Sequence, residues 1–220
     1  MFHVKHFEVI YYMKAIIWDL DGTLIDSYTA MSTSIYKALN DYNISYDLQY
    51  ICDYIKRYSV VSFFDLVFSK HEVEDKDIIV QKYVDYNKEQ NLFIKPLPHA
   101  IDILDLLTKS GVQHYIYTHK SNIAHEILKN LNMHQYFTKI LTIDDGFKRK
   151  PDPEAINYLI DTYSLDKNKI YYVGDRSLDI ESAVNAEIKS ILYIPNDSPV
   201  EPTGKEDHVI KDLLEVADII

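Results

Sequence analysis

The segment Lys14-Ala15-Ile16-Ile17-Trp18-Asp19-Leu20-Asp21-Gly22-Thr23 decides the fold. Its first part is a short apolar run with β-branched residues, which predicts a strand buried on both faces. Asp19 and Asp21 follow at the carboxyl end of this strand, and alternation along an extended chain places both carboxylates on the same side. Acids this close repel each other unless a cation, a shared proton or water offsets the repulsion. The segment therefore predicts a pair of acids that holds something positive.

The dipeptide Asp21-Gly22 has an alternative interpretation as a hairpin turn, because Asp-Gly is the strongest short hairpin signal. A hairpin requires a returning strand, but residues 24–39 show no alternation and have a helical pattern. Gly22 also permits a tight turn or a close approach of the backbone to an anion. We favour the functional interpretation, and the other motifs of the chain decide between the two.

The composition fits one large domain or one domain with a substantial insertion, since 220 residues with 47% hydrophobic content supply a sufficient core. The single cysteine, Cys52, excludes an intramolecular disulfide and fits a reducing compartment. No apolar run reaches the length of a membrane span, and the N-terminus has no secretory signal pattern. We expect a cytoplasmic protein without a membrane partner.

The formal net charge of -11 argues against a general nucleic-acid binder, because no basic excess exists to displace phosphate counterions. An anionic ligand must therefore be attracted by a local group of cations. The sequence leaves the oligomeric state open.

Residues 1–12 precede the first strand and are predicted to be a loosely attached N-terminal extension. Its histidines, His3 and His6, are better explained as incidental than as a metal site. Residues 27–94 are predicted to be a helical cap, with helices over about 26–42, 47–57, 60–69 and 75–91. The aromatic residues of this segment are better explained as bundle core than as a cofactor site.

The sequence pattern changes at Pro96-Leu97-Pro98, because two prolines so close together break a helix and suit a hinge. Strand and helix patterns alternate after it, with strands at 112–117, 139–142, 170–173, 190–194 and near 209. This alternation predicts an α/β fold: a Rossmann-like parallel sheet flanked by helices, formed by residues 13–26 and 95–220, with the α-helical cap inserted. Open parallel sheets bind ligands at the carboxyl ends of their strands, where Asp19, Thr118 and Asp175 are all predicted to lie.

The motifs resemble those of the haloacid dehalogenase-like hydrolase superfamily, in the subgroup with a helical cap after the first strand and similar to phosphoglycolate phosphatases. The family pattern is Asp-x-Asp-Gly-Thr, a Ser or Thr at a second strand end, a Lys before Pro, and Gly-Asp with a further acid. This chain has, in that order, Asp19-Leu20-Asp21-Gly22-Thr23, Thr118, Lys150-Pro151-Asp152-Pro153 and Gly174-Asp175-Arg176-Ser177-Leu178-Asp179. Each motif alone is weak to moderate support, but the four together are strong.

The resemblance implies a Mg²⁺ site formed by the side chains of Asp19 and Asp175 and the backbone carbonyl of Asp21. Hard oxygen ligands of this kind favour Mg²⁺. The resemblance further implies that Asp179 either holds a metal-bound water or contacts Lys150.

The implied reaction is hydrolysis of a small phosphorylated metabolite through an aspartyl-phosphate. Asp19 is the implied nucleophile, and Asp21 is the implied general acid and base, for which a raised pKa is expected. Thr118 and Lys150 are implied to stabilise the transferring phosphoryl group. The presence of Asp21 argues against dehalogenation, because the dehalogenase branch lacks this second acid.

Each residue also has a structural interpretation. Thr118 can cap the helix that begins near Asn122, Lys150 can be a solvated lysine, and Asp175 and Asp179 can be acids at a helix N-terminus. These interpretations leave the ordered placement at strand ends unexplained, so we prefer the catalytic one.

The chain departs from the family pattern at two places. His119 and Lys120 follow Thr118 where the family often has Asn, and His99 follows Pro98 where the cap connection usually has Pro-Gly. Lys56 and Arg57 are candidate substrate contacts from the cap, but a solvated helix end is the better explanation of both residues.

The same motifs have two other functional interpretations. A phosphosugar mutase resembling β-phosphoglucomutase uses the same aspartyl-phosphate and returns the phosphoryl group to sugar. A non-catalytic binding protein is disfavoured by the intact acids.

Overall fold

A computed structural model of the chain describes residues 14–220. The predicted extension, residues 1–12, and its two histidines lie outside the described residues. Within residues 14–220, none of the helices combines the length and the apolar character that a membrane span needs.

The centre of the molecule is a six-stranded sheet in the order β3-β2-β1-β4-β5-β6, in which every neighbouring pair is parallel. Strand β1 is buried at all four positions and lies between β2 and β4, which explains its continuous apolar sequence. The predicted parallel α/β fold is confirmed. The strands are β1 Ala15–Trp18, β2 Gln113–Tyr117, β3 Phe137–Leu141, β4 Ile170–Gly174, β5 Lys189–Tyr193 and β6 His208–Ile210.

Helices cover both faces of the sheet, and alternate residues of β1 belong to different apolar clusters. Ile16 and Trp18 pack with α5, α6 and α9, whereas Ala15 and Ile17 pack with α7 and α8. Because successive side chains of a strand point to opposite faces of the sheet, β1 contributes to the apolar cluster on each face. These helices are α5 Ala100–Lys109, α6 Ile123–Asn130, α7 Glu154–Tyr163, α8 Ser177–Asn185 and α9 Val216–Ile219.

Four α-helices follow β1 along the chain and precede the segment Pro96-Leu97-Pro98, as the sequence predicts. They form a third apolar cluster of their own, with Phe63 fully buried among residues drawn from positions 28–86. The rings of Tyr46 and Tyr54 pack edge-to-face against Phe63 in this cluster. The helices are α1 Tyr28–Asn40, α2 Leu48–Arg57, α3 Val60–Lys70 and α4 Lys76–Gln90.

The two segments that connect these helices to the sheet lie side by side. Asp26 donates its backbone N–H to the carbonyl of Lys95 at 2.9 Å, and Leu97 donates to Leu24 at 2.9 Å. His99, at the position where the family pattern has Gly, adopts a left-handed conformation with φ 60°, which is unusual for a residue with a Cβ. Its Nδ1 lies 2.8 Å from a carboxylate oxygen of Asp212, a contact that fixes the strained residue.

His114 in β2 is a buried neutral group. It is 1% exposed, and its Nδ1 accepts a 3.1 Å hydrogen bond from the indole N–H of Trp18. Burial lowers the pKa of His114 from 6.5 to about 4. In the unfolded chain the histidine gains its proton near its ordinary pKa, so the unfolded state is favoured increasingly as the pH falls.

We expect the titration of His114 to lower the free energy of unfolding by up to about 3 kcal/mol as the pH falls from about 6.5 to about 4. Urea unfolding of the wild type and His114→Asn across this range measures the effect. Asn keeps an acceptor for Trp18 but does not titrate, so the variant should lose less stability with falling pH. Equal pH dependence of the two proteins would contradict this assignment.

Candidate active site

Asp19 and Asp21 lie in a compact turn directly after β1. Asp19 is 1% exposed, and its N–H continues the sheet by donating to the carbonyl of Val173 at 2.8 Å. Gly22 follows with φ 83°, and a Cβ there would lie 2.2 Å from a ring carbon of Tyr28 and 2.5 Å from Asp175. The chain does not return as a strand but enters α1, so the hairpin interpretation of Asp21-Gly22 is wrong. Only Gly fits this turn without displacing its neighbours.

Lys150 reaches the carboxylates at the end of β1 from a distant loop. Its Nζ lies 2.5 Å from an oxygen of Asp19 and 2.7 Å from an oxygen of Asp179, and its side chain is fully buried. Burial lowers the pKa of Lys150, but the charges of Asp179 and Asp19 outweigh burial and raise the pKa above its ordinary value. Lys150 is therefore a buried, charged ammonium and not the solvated lysine of the structural interpretation.

His119, which replaces the common Asn of the family, holds the backbone of Lys150. The N–H of Lys150 donates to Nε2 of His119 at 2.9 Å. Burial and the nearby charges of Lys150 and Arg149 lower the pKa of His119 to about 3, so Nε2 keeps its free lone pair near neutral pH. The departure from the family pattern thus positions the loop that carries the lysine.

Three buried acids meet beside this lysine. Asp19, Asp175 and Asp179 each offer one carboxylate oxygen, and these oxygens lie within 4.8 Å of one another. One oxygen of Asp19 and one of Asp175 are buried without a hydrogen-bond partner. Unsatisfied, closely spaced carboxylate oxygens are the donor set expected of a hard divalent cation such as Mg²⁺. The residues present therefore fit the predicted metal.

The three acids differ in charge state because their partners differ. Burial raises the pKa of Asp19 to about 6 and that of Asp175 to about 8. Burial also acts on Asp179, but the charges of Lys150 and Arg176 outweigh it and lower the pKa of Asp179. Asp179 is thus the firm counter-ion of Lys150, and Asp19 and Asp175 are the pair that lacks full compensation.

Gly174, at the end of β4, allows Asp179 to come this close. A Cβ at Gly174 would lie 2.4 Å from the side chain of Asp179, a distance that no packing tolerates. Asp179 also accepts a hydrogen bond from the N–H of Arg176 at 3.1 Å, so it closes the first turn of α8. The Gly-Asp motif therefore serves the packing of Asp179 as well as the placement of Asp175.

Asp21 differs from the sequence-based expectation. Nζ of Lys120 lies 2.7 Å from its carboxylate. Although burial raises the pKa of Asp21, Lys120 more than offsets burial, and the pKa lies below its ordinary value. The predicted raised pKa of Asp21 is therefore wrong. The contact with Lys120 joins residues 99 positions apart, so it leaves no local signal in the sequence.

Tyr28 is a further residue of the site that the sequence reasoning missed. Its hydroxyl donates to an oxygen of Asp175 at 2.9 Å, across 147 positions of sequence. Its pKa lies well above the ordinary value, first because of burial and then because of Asp175, so it stays protonated and donates. The first residue of α1 thereby contacts the acid at the end of β4.

The remaining predicted residues have different surroundings in the structure. Thr118 follows β2, is 1% exposed, and its hydroxyl accepts a 3.1 Å hydrogen bond from the N–H of Lys120. Its interpretation as the cap of α6 fails, because that helix begins after Asn122 and has no side-chain cap. Arg57 donates to the carbonyl of Pro199 at 2.9 Å, and Nζ of Lys56 lies 5.8 Å from the ring centre of Tyr28.

A family model described as haloacid dehalogenase-like hydrolase matches residues 16–193 of this chain. The chain belongs to the haloacid dehalogenase-like hydrolase family. The match runs from the second residue of β1 to the end of β5 and includes every residue of the candidate site. The resemblance inferred from the four motifs is thereby confirmed, and the chain is a hydrolase-family enzyme.

Relatives with similar sequences carry two kinds of name. A pyrophosphatase PpaX of Bacillus pumilus is 30% identical over 182 residues, covering 81% of this chain and 82% of the relative. A phosphoglycolate phosphatase of Aquifex aeolicus is 27% identical over 186 residues, covering 83% and 85%. Both names describe hydrolysis of a bond to phosphorus.

Solved structures show the same fold. A structure described as a predicted phosphoglycolate phosphatase from Haemophilus somnus has a TM-score of 0.82 at 24% identity, with 96% of this chain and 99% of that chain covered. A Thermotoga maritima structure, provisionally described as a β-phosphoglucomutase, has a TM-score of 0.77 at 17% identity, with 94% and 100% covered. At these identities the likeness concerns the fold alone.

Proposed function

We propose that this haloacid dehalogenase-like enzyme is a Mg²⁺-dependent phosphohydrolase of small phosphorylated metabolites that acts through an aspartyl-phosphate on Asp19. The observation that carries the proposal is the meeting of Asp19, Asp175 and Asp179 around the buried ammonium of Lys150. Names of relatives with 27–30% identity support the reaction class. No observation favours the mutase alternative for this chain over hydrolysis.

The unpartnered carboxylate oxygens of Asp19 and Asp175 are the proposed side-chain ligands of Mg²⁺, together with the backbone carbonyl of Asp21. When bound, the ion supplies positive charge that screens the carboxylates from the phosphoryl group and orients both. Asp179 is not a proposed direct ligand of the ion, because both its oxygens already accept hydrogen bonds. Its Oδ1 accepts from Lys150, and its Oδ2 accepts from the N–H of Arg176.

In the first step, a carboxylate oxygen of Asp19 attacks phosphorus, a new O–P bond forms, and the P–O bond to the leaving group breaks. Lys150, held beside Asp19, stabilises the charge on the transferring phosphoryl oxygens. The Thr118 hydroxyl is the proposed hydrogen-bond donor to one of these oxygens. Asp21 gives a proton to the leaving oxygen, which requires that Lys120 turn from Asp21 towards the substrate.

In the second step, Asp21 takes a proton from water, and the water oxygen attacks phosphorus. The O–P bond to Asp19 breaks, and phosphate leaves with Asp19 restored. The ion pair with Lys120 keeps Asp21 ionised, which suits its role as a base in this step. The two steps therefore use the same acid in its two protonation states.

The two predicted domains have different proposed roles. We propose that residues 13–26 and 95–220 form the catalytic core and that residues 27–94 form the cap that excludes water during turnover. The separate apolar cluster of the four inserted helices supports a cap with its own core.

Mg²⁺ should raise the thermal midpoint of unfolding, and the rise should be larger at about pH 8 than at about pH 5.5. Protons compete with the metal for Asp19 and Asp175, whose pKa values are raised to about 6 and about 8. Thermal scans with and without saturating MgCl₂ at the two pH values measure this. A stabilisation that is absent, or that grows as the pH falls, would contradict the metal assignment.

The hydrolytic activity should depend on bound Mg²⁺. EDTA should silence hydrolysis of phosphoglycolate, pyrophosphate and a generic aryl phosphate, and added Mg²⁺ should restore it. Turnover that is indifferent to chelation would remove Mg²⁺ from the proposal. A panel of phosphorylated metabolites then ranks substrates by kcat/KM.

A further inference from the structure

Tyr28 connects the inserted helices to the acid at the end of β4. It is the first residue of α1 and is 5% exposed, and its ring belongs to the apolar cluster of the inserted helices that surrounds Phe63. At the other end of the side chain, the hydroxyl donates to Oδ2 of Asp175 at 2.9 Å. One side chain therefore belongs both to the core of the inserted helices and to the candidate active site.

The ring of Tyr28 packs closely on the turn after β1. A Cβ at Gly22 would lie 2.2 Å from Cε2 of Tyr28 and 2.5 Å from Oδ2 of Asp175, so the absent side chain leaves room for both partners of the hydrogen bond. Nζ of Lys56 lies 5.8 Å from the centre of the ring, within the range of a cation–π contact. These contacts fix the ring, and the hydroxyl oxygen is thereby fixed opposite Asp175.

The two proposed side-chain ligands of the metal share one feature: each has one oxygen bound to a donor and one oxygen free. Asp19 accepts from Nζ of Lys150 through Oδ1, and its Oδ2 is buried without a hydrogen-bond partner. Asp175 accepts from Tyr28 through Oδ2, and its Oδ1 is buried without a partner. A hydrogen bond to one oxygen of a carboxylate sets the direction of the other oxygen. Tyr28 therefore has the same relation to Asp175 that Lys150 has to Asp19.

The orientation of Asp175 depends on this single hydroxyl. Within residues 14–220, Tyr28 is the one hydrogen-bond donor to the Asp175 carboxylate. The terminal torsion of an Asp side chain is broad, so a carboxylate without such a donor turns freely and its oxygens exchange places. Loss of a hydrogen bond that orients a metal-ligating side chain typically weakens metal binding by about 10-fold to 100-fold.

We propose that Tyr28 is a positioning residue for the metal: its hydroxyl orients Asp175 so that the free Oδ1 faces the Mg²⁺ site, and it makes metal binding depend on the placement of α1. The inference rests on the proposed phosphohydrolase function, because that function supplies the Mg²⁺ site. The proposed ligands come from the segments after β1 and β4, whereas Tyr28 comes from the inserted helices.

The test compares Tyr28→Phe with Tyr86→Phe in the full chain. Tyr28→Phe removes one oxygen and keeps the buried ring, so the variant should fold, and urea unfolding of the metal-free protein checks this. Tyr86 packs against the same apolar cluster, and its hydroxyl donates to Oδ2 of Asp41 at 3.0 Å. The control therefore removes the same kind of hydrogen bond from an acid outside the metal group.

The measured quantity is the dissociation constant of Mg²⁺ in the absence of substrate, obtained by calorimetric titration. Tyr28→Phe should raise this constant by about 10-fold to 100-fold, whereas Tyr86→Phe should stay within about threefold of the wild type. A rise in Tyr28→Phe that is no larger than the rise in Tyr86→Phe would overturn the inference. A wild type that binds no Mg²⁺ would instead contradict the proposed function, so the two failures are distinguishable.

Turnover separates positioning from a direct catalytic part. At saturating Mg²⁺, kcat of Tyr28→Phe should lie within about threefold of the wild type, because the bound ion itself then orients Asp175. The Mg²⁺ concentration that gives half of the maximal rate should rise with the dissociation constant. A loss of kcat that saturating Mg²⁺ does not restore would contradict the positioning role.

The dependence on α1 has its own measurement. Because coupling between two sites is reciprocal, Mg²⁺ should slow amide hydrogen exchange across residues 28–40 in the wild type. It should slow this exchange less in Tyr28→Phe at a Mg²⁺ concentration that saturates both proteins. Exchange that Mg²⁺ leaves unchanged in the wild type, or slows equally in the two proteins, would show that metal binding does not depend on α1.

Discussion

Asp19→Asn should reduce kcat by on the order of 10⁴-fold or more for every substrate, because an amide oxygen cannot serve as the nucleophile that forms the acyl phosphate. The substitution should leave the fold intact. Burial already raises the pKa of Asp19 to about 6, so a neutral side chain of the same shape removes repulsion as well as one contact with Lys150. Phosphate release under saturating substrate measures the effect.

The control for this variant is its stability. Urea unfolding should give a free energy within about 1 kcal/mol of the wild type, because Asp179 still pairs with Lys150. Residual turnover above about 1% of the wild type in a folded variant would remove Asp19 as the nucleophile.

Lys150→Met should lower kcat by about 10²-fold to 10⁴-fold, since it removes the ammonium that faces the transferring phosphoryl group. The same change leaves Asp19 and Asp179 buried without their cation. Breaking a buried ion pair from one side costs about 3–5 kcal/mol, so the variant should also be less stable than the wild type. Kinetics and urea unfolding, both at saturating Mg²⁺, separate the two effects.

Lys148→Met is the matched control, because this exposed lysine precedes Lys150 in the same loop and touches none of the acids at the end of β1. It should change kcat by less than about threefold and stability by less than about 1 kcal/mol. If Lys150→Met folds stably and turns over at the wild-type rate, the buried ammonium has no catalytic part.

The fold could be predicted because its determinants are local. The apolar run at β1, the two prolines near residue 97, and the alternation of strand and helix after them each state a backbone preference within a few residues. Parallel pairing then brings strand ends to one edge of the sheet, which is why the sequence alone predicts that Asp19, Thr118 and Asp175 lie together.

Contacts between distant side chains could not be predicted in the same way. Tyr28 lies 147 positions from Asp175, and Lys120 lies 99 positions from Asp21, and neither spacing leaves a periodic signal. The pKa of Asp21 was therefore predicted in the wrong direction, since its sign depends on one lysine whose reach only the folded chain shows. The contact of His119 with the backbone of Lys150 belongs to the same class.

The stereochemical course at phosphorus tests the central claim most directly. A phosphorothioate ester made chiral at phosphorus with sulfur and two oxygen isotopes is hydrolysed in water labelled with the third oxygen isotope, and the configuration of the released thiophosphate is determined. Two successive in-line displacements, first by Asp19 and then by water, predict net retention of configuration. Inversion would show that water attacks the substrate directly, and the account of Asp19 as a covalent nucleophile would be wrong.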